Sequence, residues 1–241
     1  MTSASSWERV RPVRTHEQVL AQIQAKILGG ELRAGEKLPS ERELVEALGV
    51  SRTSVREALR VLEALGIIDA NTGSGKDAGS IVTGRSTAAL GNLLRLHMAV
   101  TRIDLSDLIE IRCQLEQNAA AGAAVQATGD EVAHLRALIA NMRADDVEEE
   151  QFNELDTEFH VSIARASRNV LAADLMQALR DAVKSEMTAA FDRLPDWQLV
   201  TSTLIEEHER ITDAIEQGEG DRAGVLVHQH ITGFYNDQLR K

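Results

Sequence analysis

Four residues with metal-ligand chemistry stand out: Asp156, His160, His208 and His230. Asp156 and His160 are four apart, so a helix carries both on one face. His208 falls in a later segment of helical pattern and His230 in the last one. One carboxylate and three imidazoles from three helices can converge on a divalent cation inside a bundle. Oxygen and nitrogen donors suit Zn, Ni, Co, Mn or Fe(II), and the sequence does not choose among them. Four protein ligands on an octahedral ion leave two positions open, where a small carboxylate can bind. A plainer explanation competes. Acidic helices carry histidine by chance, and His208 lies among Glu206, Glu207 and Glu209, as on a solvated face. His228 is the alternative last ligand; His230 is preferred because it shares a stripe with Val227, Phe234 and, more loosely, Ala223. His134 and His97 have no partner at ligand spacing.

A second constellation is basic. Arg52, Arg56 and Arg60 step by four, drifting about 40° per step around a helix, so they stay on one face. Val55, Ala58, Leu59 and Leu62 fall on the opposite, inward face. Thr53 lies beside the arginines. Arginine can reach guanine edges bidentately, and Thr or Ser can contact phosphate or a thymine methyl. An arginine stripe alone is as often a solvated face.

The elements around the stripe decide between these readings. Residues 16–29 place Val19, Leu20, Ile23, Ile27 and Leu28 at helical spacing, with Gly29 and Gly30 ending the helix. Ser40 and Glu43 form a capping box opening a short helix over about 41–47. Gly49 suits a left-handed turn, and Ser51 caps a helix over about 52–65. Residues 66–70 and 80–83 read as two short strands around a glycine-rich tip, residues 71–79, that carries Lys76. Two helices joined by a tight turn, followed by a hairpin, match winged helix-turn-helix docking. GSGK is not a phosphate loop: no Gly lies five residues before Gly75, and Asp77 follows Lys76.

Beyond a joint at Gly84, Arg85 and Ser86, the pattern is helical almost throughout. Helices are expected over 87–99, then after a cap at Asp104 or Ser106, then from the Thr128/Glu131 capping box to about Arg143. Four more follow over about 149–167, 170–192, 196–217 and 220–239. The acidic run Asp145–Glu150 reads as a solvated loop and helix start.

Composition agrees. The 241 residues fit two domains, and 3% aromatics argue against sandwiches and barrels. A single cysteine, Cys113, excludes an internal disulfide; on an Ala/Leu-rich helix it reads as a small apolar residue, not a nucleophile. There is no signal-peptide core and no apolar run of the ~18 residues that span a bilayer, so a soluble cytoplasmic protein is expected. The net charge of −12 is uneven: residues 1–85 carry 12 basic against 11 acidic residues, the remainder 14 against 27. A near-neutral head able to approach DNA therefore precedes an acidic unit that repels it.

PSERELVEALGVSRTSVREALRVLEALGII (residues 39–68) resembles the DNA-binding signature of the GntR regulators. The resemblance implies DNA contacts from Arg42, Ser51, Arg52, Thr53, Ser54 and Arg56, with Gly75 and Lys76 at the wing tip. ELDTEFHVSIARASRNVL (154–171), EEHERITDAIEQGEGDRA (206–223) and VHQHI (227–231) resemble the ligand-binding FCD bundle of the FadR subfamily. Its metal-binding members use an Asp-x-x-x-His pair and two later histidines, which implies Asp156, His160, His208 and His230 here. IEIRCQLEQNAA resembles that domain's start, where an arginine reaches the pocket; it is Arg112 in this chain.

The expected fold is mainly α. A winged helix-turn-helix over 1–84 precedes an antiparallel bundle of about seven helices over 85–241. The expected function is a homodimeric transcriptional repressor on a palindromic operator, controlled by a small carboxylate at a divalent metal. The alternative is a metal-dependent hydrolase with an accessory domain. It lacks an obvious general base, and His208-Glu209-Arg210-Ile211-Thr212 misses the second histidine of H-E-x-x-H. A purely structural adaptor explains neither constellation.

Overall fold

The computed structural model describes residues 14–71, 79–83, 87–144, 146–191 and 196–238. The joint expected at 84–86, the wing tip with Gly75 and Lys76, and Asp145 lie outside the described residues. The chain divides into two compact units, Met1–Ala89 and Leu90–Lys241.

The first unit contains α1 (Thr15–Leu28), α2 (Glu41–Leu48), α3 (Arg52–Ala64), β1 (Ile68–Asn71) and β2 (Gly79–Val82). The Ser40/Glu43 capping box forms, satisfying two backbone N–H groups at the start of α2. Gly49 ends α2 at φ 64°, a left-handed conformation that costs a side-chain-bearing residue energy. Ser51 then caps α3, its hydroxyl accepting from the Ser54 N–H at 3.2 Å. Val55, Ala58 and Leu62 of α3 are fully buried, Ala58 and Leu62 in one cluster with Val19 and Ile23 of α1. Leu59 is half-buried, and Leu28 is exposed.

The first strand begins two residues later than the sequence pattern placed it. Gly66, at φ 65°, and Ile67 close the end of α3, donating to the carbonyls of Glu63 and Leu62. Only then does the chain extend. β1 and β2 pair antiparallel with Ile68 opposite Val82 and Asn71 opposite Gly79. Residues 35–38 run along the other edge of β2: Gly35 N–H donates to Val82 O and Leu38 N–H to Ser80 O, both at 2.8 Å.

The second unit is a helical bundle: α4 (Thr87–Thr101), α5 (Leu105–Gln126), α6 (Gly129–Met142), α7 (Glu149–Ala166), α8 (Val170–Phe191), α9 (Trp197–Glu216) and α10 (Gly220–Gln238). All seven expected helices are present. The Thr128/Glu131 capping box forms, whereas Asp104, at the cap of α5, makes no side-chain bond there. Small residues draw α10 onto α5. A Cβ on Gly224 would stand 3.3 Å from the carbonyl oxygen of Gln117, and Ala120, Ala123 and Ala223 are fully buried nearby. Gly220 lies against Ala121 and Gly224 against Gln117, so the two helices run antiparallel. No helix among the described residues is long and apolar enough to cross a membrane.

Candidate functional site

The ligand candidates come from three helices of the bundle. On α7, Phe152, Asp156, Phe159, His160 and Ile163 form the inward stripe. On α9 the inward stripe is Leu204, His208, Ile211 and Ile215, so His208 is wholly buried despite its acidic neighbours. On α10, His230 is buried with Val227 and Ile231, while His228 is exposed. One ligand atom from each of Asp156, His160, His208 and His230 lies within 4.8 Å of the others. The three Nε2 atoms face each other, 3.2 Å between His160 and His230 and 3.3 Å between His208 and His230. Asp156 Oδ1 lies 3.2 Å from His208 Nε2 and 3.6 Å from His160 Nε2.

Two of the rings have a carboxylate behind them; the buried Nδ1 of His208 has no hydrogen-bond partner among the described residues. His230 Nδ1 lies 2.8 Å from Glu207 Oε2, and His160 Nδ1 contacts Glu116 Oε2. A ring nitrogen against a carboxylate carries the proton, which leaves Nε2 of a neutral imidazole as a bare lone pair. His230 Nε2 is left as such a lone pair, facing His160 Nε2 at 3.2 Å. Carboxylate Oδ1 of Asp156 adds further negative density at the same place. This donor set, buried and aimed at one point, fits a divalent cation. The charge states agree. Burial pushes His208 down to about 3 and also lowers His230, which keeps both neutral, the form that ligates. Burial alone would raise Asp156, but the Arg180 guanidinium and His160 outweigh it and hold this carboxyl well below its usual range.

Three further charged groups complete the site. Glu116 Oε1 accepts from Arg112 Nε at 3.1 Å and Nη2 at 2.9 Å. Arg112 Nη1 donates to the Tyr235 hydroxyl at 2.8 Å. Arg180 Nη1 donates to Asp156 Oδ2. Glu116 and Arg180 are as buried as the ligands, and His160, Arg112 and Arg180 hold the Glu116 carboxyl below its usual range against the pull of burial. Sequence reasoning missed Glu116, Arg180 and Glu207. Glu116 sits one turn after Arg112, a readable i, i+4 pair, but its second partner is 44 residues away in sequence. Cys113 is buried, as a small apolar residue would be.

Beside the cluster is a partly open cavity of about 20 Å³, walled by Arg112, Asp156, Arg180 and His230 and by Met187 and Phe234 among others. A wider cavity of about 550 Å³, with Met142, Phe152 and Trp197 in its wall, touches none of the four ligand candidates. The donor chemistry argues for the small cavity.

In the first unit, the side chains of Arg52 and Arg56 are 69% and 56% exposed, so neither is spent on the core. Their Nε atoms lie 3.9 and 3.7 Å from the carboxylate of Glu41, loose surface pairs that cost little to break. Arg42, Ser51 and Thr53 are exposed, and Ser54 is half-buried, its hydroxyl 2.9 Å from that of Ser51.

A helix-turn-helix unit with exposed arginines is thus joined in one chain to a helical bundle that encloses a polar cluster. Residues 15–76 match the family model of bacterial regulatory proteins, gntR family, and residues 107–233 match the FCD domain. The chain belongs to the GntR family and carries an FCD effector-binding domain; it is a transcriptional regulator and not an enzyme. It is similar to the HTH-type transcriptional regulator LutR of Bacillus subtilis, 30% identical over 210 residues, 86% of this chain and 93% of LutR. It is 31% identical over 207 residues to the Glc operon transcriptional activator of Escherichia coli, covering 83% of this chain and 80% of that one. Among solved structures, a GntR protein of Streptococcus agalactiae superposes with a TM-score of 0.62 at 28% identity, covering 92% of this chain and 99% of that one. GntR regulators bind DNA, and FCD domains bind small-molecule effectors.

Proposed function

We propose that this chain is a cytoplasmic, homodimeric repressor whose operator affinity is set by a small organic acid bound at a divalent metal in the bundle. Residues 1–84 form the DNA-binding domain and residues 85–241 the effector domain. Arg42, Ser51, Arg52, Thr53, Ser54 and Arg56 meet DNA, with Gly75 and Lys76 at the wing. The exposure of the α3 arginines supports this assignment. Two copies of α3 in successive major grooves read the half-sites of a palindrome.

The observation that carries the metal reading is the buried convergence of Asp156, His160, His208 and His230. These four would hold a Zn, Ni or similar ion, which supplies Lewis-acid binding of a carboxylate oxygen at its open positions. The chain's own residues orient the rings, exclude water and neutralise the buried carboxylates. An effector shifts the regulator only by its differential affinity for the DNA-bound and free states.

The test selects a duplex from a random pool with purified protein, then measures its binding by the wild type and by His160→Ala/His208→Ala. Expected are a palindromic selected site, metal in the wild type by elemental analysis, and no metal in the variant. Pooled small organic acids then release DNA from the wild type but not from the variant. Equal metal content in the two proteins, or no selected site, overturns the reading.

A further inference from the structure

We propose that Arg180, not Arg112, is the residue that receives the effector's carboxylate. The proposal rests on the metal-centre reading above and assigns the anion contact within it.

The two buried guanidiniums differ in what they have left to give. Arg112 uses Nε and Nη2 on Glu116 and Nη1 on the Tyr235 hydroxyl, so all three of its nitrogens are engaged. Tyr235 in turn contacts the Met187 sulfur at 3.3 Å, which packs this arm in place. Among the described residues Arg180 makes one hydrogen bond, from Nη1 to Asp156 Oδ2. Its Nη2 stands 3.9 Å from Glu116 Oε1, beyond hydrogen-bond range, and its buried Nε has no partner among the described residues. A buried donor without a partner carries a desolvation cost that a bound oxygen removes.

Its position is also the right one. Asp156 divides its oxygens: Oδ1 faces the imidazoles and Oδ2 takes Arg180. The same carboxylate therefore holds the guanidinium beside the point where the ligand atoms converge. Arg180 and Asp156 also wall the small cavity together. A carboxylate with one oxygen at that point can put its second oxygen on Arg180, the bridging arrangement that suits a planar fork.

Charge balance asks for such an anion. The two buried carboxylates, Asp156 and Glu116, are matched by two buried guanidiniums, Arg112 and Arg180. A divalent cation adds two charges that the half-buried Glu207 only partly offsets. Apart from Tyr235, the remaining wall is apolar, with Met187, Leu204, Ile231 and Phe234. At about 20 Å³ the cavity holds roughly one water. The fitting ligand is thus a short monocarboxylate with little beyond its acid group, admitted by small side-chain shifts.

The probe is acetate, with acetamide as the uncharged control of equal size, titrated calorimetrically into zinc-loaded full-length protein. Wild type is expected to bind acetate and not acetamide. Arg180→Gln, with its zinc content measured alongside, is expected to bind acetate about 10- to 100-fold more weakly, the loss of a charge-assisted contact. Arg180→Lys keeps the charge without the fork and is expected to lie between; it decides the matter if the Gln variant does not fold. Arg112→Lys is expected to weaken acetate binding less than Arg180→Lys does, since the nitrogens of Arg112 are already taken by Glu116 and Tyr235. Equal acetate affinity in wild type and both Arg180 variants at equal zinc content overturns the proposal, as does no acetate binding by zinc-loaded wild type. A wild type that takes up no zinc or nickel overturns the metal reading instead. The titration is then run on metal-free protein, where loss in the Arg180 variants supports the anion contact and no loss overturns it.

Discussion

Glu207→Ala tests whether the carboxylates behind the rings matter. Glu207 Oε2 lies 2.8 Å from His230 Nδ1 and fixes which ring nitrogen carries the proton. Without it the ring can rotate or adopt the other tautomer, and its Nε2 is no longer committed to the cluster. Loss of such an orienting carboxylate costs about 10- to 100-fold in metal affinity. The Glu207 side chain is 27% exposed, so solvent replaces part of its interaction, and the lower end, about tenfold or roughly 1.4 kcal/mol, is expected. Glu207→Gln, which keeps an acceptor but loses the charge, should fall between wild type and Ala. The assay is competition for zinc against a chromophoric chelator, with circular dichroism confirming equal helix content. An Ala variant that binds zinc as tightly as wild type would refute the argument that this hydrogen bond orients His230.

Other expectations follow from the same coordinates. Arg56→Ala should weaken binding to the selected duplex by ~1–3 kcal/mol per lost base contact, read by fluorescence anisotropy, with thermal stability little changed because the side chain is exposed. Leu62→Ala, at a fully buried position in the first unit, should cost ~2–5 kcal/mol of that unit's stability while zinc content stays the same. For metal-stripped protein, His208 has a folded value of about 3 against 6.5 free, so the unfolded chain takes up the proton first. Its contribution to stability is complete above about pH 6.5 and is lost as pH falls towards 3; at pH 5 the loss is about 2 kcal/mol, measurable by urea unfolding. Stability of the stripped protein that is flat between pH 7 and pH 5 would contradict the burial of a neutral ring.

Much of this was legible in the chain. The two capping boxes, Ser40/Glu43 and Thr128/Glu131, are local, so four residues suffice to see them. The left-handed Gly49 and the Asp156/His160 pair are legible for the same reason. His208 was obscured by its glutamate neighbours, although the spacing Leu204, His208, Ile211, Ile215 places it inward. The start of β1 was misplaced because Gly66 and Ile67 serve the end of α3, a use that alternation cannot reveal. Glu116, Arg180 and Glu207 were not legible as site residues. A charge on a helix reads as solvated until the partner helix is known, and Arg180 meets Asp156 only because α7 and α8 pack together. The resemblance supplied Arg112 as the effector contact; the fold places it in the wall of the small cavity, bonded to Glu116 and Tyr235.

The central claim is a buried metal held by three imidazoles and one carboxylate. X-ray absorption at the metal edge of the purified protein tests it directly. The account predicts a first shell of nitrogen and oxygen, with outer-shell scattering of about three imidazole rings. In His160→Ala/His208→Ala the edge signal should vanish. A sulfur shell, a shell of oxygen alone, or an unchanged spectrum in the variant would contradict it.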